Sequence, residues 1–80
     1  MNAKVEKAIK MSRAYYNMPG NGAGGSLHIV LDDGNIEVDH VRFCLEWAAD
    51  RNDKPGVKLA EFLLTLTEDE RNEVYHAIYP

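Results

Sequence analysis

The amino-acid sequence predicts a small α+β domain, mostly helical, with about four helices and one short β-strand or hairpin at about residues 27–38. Apolar residues recur at helical spacing in several separate stretches. One β-branched run lies between a glycine-rich stretch and an Asp-Asp-Gly-Asn turn signal. The length of 80 residues suits a single domain over 1–80.

Residues 2–17 form the first predicted helix. Val5, Ala8, Ile9, Ser12 and Tyr16 follow the i, i+3, i+4 spacing of one face, while Lys4, Lys7 and Lys10 recur along another. Pro19-Gly20 ends it. Residues 19–26 read as a loop holding four of the six glycines, Gly20, Gly22, Gly24 and Gly25. Leu27-His28-Ile29-Val30-Leu31 then reads as a strand. Two continuations are open. Asp33-Gly34 can close a hairpin onto a short return strand at 36–38. Alternatively, Asn35 or Asp39 caps a helix directly, and a strand, a turn and then the helix is the favoured order. That helix is clear from Val38, with Val41, Leu45, Ala48 and Ala49 inward and Phe43, Cys44 and Trp47 widening a buried face. Residues 50–56 are a polar break before an apolar helix over Val57 to Leu66. Thr67 and Glu70 are spaced as a capping box for a last helix that runs to about Tyr79.

Charge is uneven. Residues 1–18 carry Lys4, Lys7, Lys10 and Arg13 against Glu6, a balance of +3; residues 19–80 carry five basic and twelve acidic side chains, a balance of −7. An anion-attracting helix on an acidic body is one reading, and an ordinary solvated surface is the other. The lone Cys44 excludes an internal disulfide framework. No apolar run approaches the ~20 residues of a membrane helix, and no signal peptide opens the chain, so no membrane partner and a cytoplasmic location are expected. A lone strand is marginal in water, so pairing with a second copy, and hence a homo-oligomer, is expected.

The glycine loop is the most unusual feature. Glycines let backbone N–H groups close around an anion, although this order matches no established phosphate-loop fingerprint. As a strand, 27–31 places His28 and Asp32 on one side, beside Gly24, Gly25 and Ser26. A nucleotide site follows. The loop would hold phosphate, Lys7, Lys10 or Arg13 would supply positive charge, and His28 and Asn35 would hydrogen-bond sugar or base. Tyr15 or Tyr16 would stack on the ring, and Asp32 would accept from a ribose hydroxyl or act through a bridging divalent ion. Histidines and Cys44 lack zinc spacing, and Asp32-Asp33 lacks the rest of a calcium loop. No resident cofactor or metal is expected. No nucleophile sits in a recognisable context, so an enzyme is not expected, and neither is direct nucleic-acid binding.

The segment Gly24-Gly25-Ser26-Leu27-His28-Ile29-Val30-Leu31-Asp32-Asp33-Gly34-Asn35, followed by a helix with Phe43-Cys44, resembles a segment of small uncharacterised phage-encoded proteins. The resemblance extends over residues 20–75 and implies an accessory protein that counters host defence inside an infected bacterium. Two forms of action are expected. The first is sequestration of a small phosphate-bearing nucleotide signal. The alternative is a protein-contact inhibitor of a host defence complex, with an acidic and DNA-mimicking surface. A signal-degrading enzyme has the weakest support from the residues.

Overall fold

The computed structural model describes residues 2–20, 25–28, 30, 34 and 36–79. Among these the chain forms four α-helices and no strand: α1 (Ala3–Tyr16), α2 (Val38–Asp50), α3 (Lys54–Leu64) and α4 (Glu68–Ile78). The protein is therefore all-α, and the expected α+β class is corrected.

The reason lies in the burial of Leu27 and Val30. His28 and Val30 are helical, and the His28 N–H donates to the Gly25 carbonyl three residues back. Leu27 and Val30 are both buried, at 0% and 1% exposure. A strand would send positions 27 and 30 to opposite faces, whereas a helical turn brings i and i+3 together. Leu27 and Val30 thus enter one core from a helical turn; Ile29, Leu31 and the expected Asp33 turn lie outside the described residues. A return strand at 36–38 is likewise absent, since α2 begins at Val38. With no strand edge among the described residues, the pairing argument for a homo-oligomer loses its basis.

α1 starts at Asn2, whose side chain accepts from the Val5 N–H at 2.8 Å. The Asn2 amide also donates to Glu70 at 2.6 Å, near the start of α4. At the other end, Arg13 donates to the Ala77 carbonyl at 3.1 Å, and Tyr16 meets Tyr79 edge-on. Start lies against start and end against end, so α1 and α4 run parallel. α1 also packs on α3, and α2 packs chiefly on α3. Val5, Ala8, Val41, Cys44, Leu59, Leu63 and Val74 fill the shared core, with Leu27 and Val30 entering from the connecting segment.

The link from α2 to α3 is tight. Asn52 takes φ +57°, the left-handed conformation asparagine tolerates. The Asn52 N–H reaches the Ala49 carbonyl and the Asp53 N–H reaches the Ala48 carbonyl, the two bonds of a Schellman ending. Asp53 then caps α3, accepting from the Gly56 N–H at 3.1 Å. That cap starts α3 at Lys54, inside the expected polar break. The predicted capping box is present: Thr67 accepts from the Glu70 N–H, and Glu70 accepts from the Thr67 N–H. Arg71, largely buried, donates to the Ile36 and Leu66 carbonyls and fixes the entry into α2. Gly34, at φ +69°, lies against Tyr75, whose ring would be 2.9 Å from an added Cβ.

Candidate functional site

A buried polar junction stands where the sequence predicts a ligand floor. The Tyr15 hydroxyl donates to Asp53 Oδ2 at 2.7 Å. The Leu27 and Ser26 backbone N–H groups face the same phenol oxygen. Burial raises the Tyr15 pKa above its ordinary 10.0, and the adjoining carboxylate adds to the rise. Burial alone would raise Asp53. The hydrogen bonds from Tyr15 and the Gly56 N–H outweigh it and hold the carboxyl below its ordinary 3.8. The Ser26 hydroxyl also favours the carboxylate but lies outside regular hydrogen-bond geometry.

This junction turns the described end of the glycine loop inward. Gly25 and Ser26 are buried. The Gly25 carbonyl accepts from His28 Nδ1 at 2.8 Å as well as from the His28 N–H. Tyr15 is 1% exposed, so its ring is core and offers no stacking face. Tyr16 is half-buried against Tyr79. Lys10 and Arg13 are exposed and flank a groove of about 470 Å³ with Glu6, Ile9 and Ala77. At roughly 100° per residue, Lys10 and Arg13 lie about 140° and 160° around α1 from Tyr15. The basic pair and the loop thus occupy opposite flanks of α1. Gly24, Asp32 and Asn35 lie outside the described residues.

A second surface departs from what the sequence predicts. Phe43, expected to widen the buried face of α2, is 55% exposed. The core takes Val41, Cys44 and Ala48 instead, which leaves Phe43 on the far edge of the helix. Burial raises the Cys44 thiol, consistent with a packing role. Around Phe43 runs an aromatic stripe along α2. His40 and Trp47 lie on either side, each 6.2 Å from its ring, and His28 meets Trp47 edge-on at 6.5 Å. The Arg51 guanidinium sits over Trp47 at 5.3 Å. Phe43, Glu46, Trp47 and Asp50 line a depression of about 210 Å³.

Among the described residues, no group of three or more His, Cys, Asp or Glu side chains could hold a metal ion, and no helix is long and apolar enough to cross a membrane. No family model, curated protein or solved structure matches the chain.

Proposed function

We propose that the chain is a contact protein that docks the exposed aromatic and acidic face of α2 onto a protein partner. The exposure of Phe43 carries this reading: a large ring left outside a small core, in line with Trp47 and flanked by carboxylates. Aromatic residues are enriched among the anchors of protein interfaces. The resemblance to small phage-encoded proteins suggests the partner class, a component of a bacterial defence complex that the chain blocks by occupying its surface. A photo-cross-linking residue at position 43, in cells containing such a complex, is expected to give a discrete protein adduct. The same residue at exposed position 73 of α4 is expected to give none. Equal capture from both positions would remove the reading.

Sequestration of a nucleotide is a second reading, favoured by the groove beside Lys10 and Arg13. Its volume of about 470 Å³ falls within the ~300–1,000 Å³ range of small-molecule sites. Glu6 in the same groove opposes an anion. Thermal melting against mono-, di- and cyclic nucleotides tests this reading. Ligand at 100 times its Kd adds about 2.7 kcal/mol of stability, and a flat panel removes it.

A further inference from the structure

We propose that the depression formed by Phe43, Glu46, Trp47 and Asp50 receives an arginine side chain of the protein partner; this rests on the contact reading above. Its size favours a single side chain. At about 210 Å³ the depression is below the ~300–1,000 Å³ of small-molecule sites. It suits one inserted side chain rather than a nucleotide.

Its charge favours a cation. Glu46 and Asp50 stand one turn apart on α2, where like charges repel. Among the described residues the ion pair on α2 joins Arg42 to Asp39 and involves neither of them. A cation between the two carboxylates relieves their repulsion. Its wall is aromatic. The Phe43 and Trp47 rings are tilted 52° to one another and border the same depression. The Arg51 guanidinium already stacks over Trp47. By helical periodicity Arg51 projects from the flank of Trp47 opposite to Glu46 and Asp50. The ring's environment thus already accommodates a guanidinium, and the acidic flank offers a second position. Arginine suits it better than lysine, because a planar guanidinium can stack on a ring and bridge two carboxylates at once.

Trp47 is the chain's single tryptophan, so its emission reports on the depression directly. The experiment titrates the full chain with acetylated hexa-arginine, and separately with hexa-lysine, at about 0.15 M salt, where exposed charges are screened beyond ~8 Å. Hexa-arginine is expected to change Trp47 emission saturably, with hexa-lysine about tenfold weaker. Glu46→Gln with Asp50→Asn is expected to weaken hexa-arginine binding about tenfold. Glu61→Gln with Glu73→Gln, equal in charge removed but placed on α3 and α4, is expected to leave it unchanged. Far-UV circular dichroism checks that both double variants keep their helix. A silent Trp47, or equal weakening by the two double variants, overturns the proposal. So does a chain that sediments as a dimer and becomes a monomer on Phe43→Asp, which puts a second copy on this face. If position 43 still cross-links to a protein while hexa-arginine is silent, only the arginine assignment falls. If both fail, the contact reading falls with it.

Discussion

The Tyr15 hydroxyl donates to the Asp53 carboxylate at 2.7 Å, joining the end of α1 to the start of α3 across 38 residues of sequence. Asp53 does three things at once. Its N–H completes the ending of α2, its Oδ1 caps α3, and its Oδ2 holds Tyr15. The Ser26–Leu27 backbone faces the same hydroxyl, so one contact fixes three helices and the connecting segment.

Tyr15→Phe is expected to destabilise the fold by about 1.5–3 kcal/mol, the range for a hydrogen bond to a charged group. Urea unfolding measures this. In a double-mutant cycle with Asp53→Asn, the two losses should be clearly less than additive, because they break one contact. Additive losses would mean the hydrogen bond contributes nothing of its own.

The same contact sets the pH limits. The folded Asp53 pKa is depressed, so its contribution is present above about 3.8 and lost as pH falls through the lower folded value. The folded Tyr15 pKa is raised, so its contribution is complete below 10.0 and lost as pH rises through the higher folded value. In Tyr15→Phe, Asp53 loses a donor while burial still opposes its charge. The acid-unfolding midpoint should move to higher pH. An unchanged midpoint in acid titrations followed by circular dichroism contradicts this.

Gly56→Ala should destabilise the protein, against the ordinary gain of about 1 kcal/mol for alanine in a helix. An added Cβ would stand 2.5 Å from Asp53 Oδ2, and that carboxylate is held by Tyr15 and cannot swing away freely. A Tm above that of the parent protein would show that the cap relaxes without loss.

Val30→Lys separates the helical turn from the expected strand. As a strand, 27–31 would turn Val30 outward and tolerate lysine. In the helical turn Val30 is 1% exposed, and an unpaired buried charge costs several kcal/mol. The variant should lose cooperative unfolding at room temperature; a wild-type melting curve would restore the strand.

Much of the fold is legible in the sequence. The periodicity of α1, the Thr67–Glu70 box and the core positions Val5, Ala8, Ile9 and Ser12 stand where their spacing puts them, whereas on α2 Val41, Cys44 and Ala48 are buried but Ala49 and Phe43, both expected inward, are exposed. The strand expectation is overturned because a five-residue run with four apolar side chains carries no period of its own, and tertiary packing decides it. The composite site failed for a different reason. Tyr15 is one residue from Tyr16, yet about 100° away around the helix, and only packing reveals which ring is core. Asp53 could have been suspected, since Asp-Lys-Pro-Gly is a capped helix start with proline in the first turn. Phe43 offered no such signal, because an aromatic beside an apolar face reads as core until the neighbouring helices are placed.

The proposed contact function lies on α2 and not in the glycine loop. Amide chemical-shift mapping of the full chain tests it most directly, with hexa-arginine and then a nucleotide panel added to the same sample. Hexa-arginine should shift the Phe43, Glu46, Trp47 and Asp50 amides, and His28 through its contact with Trp47, while Gly25 and Ser26 stay unchanged under both additions. Nucleotide-dependent shifts centred on Gly25, Ser26 and His28, with α2 silent, would contradict it.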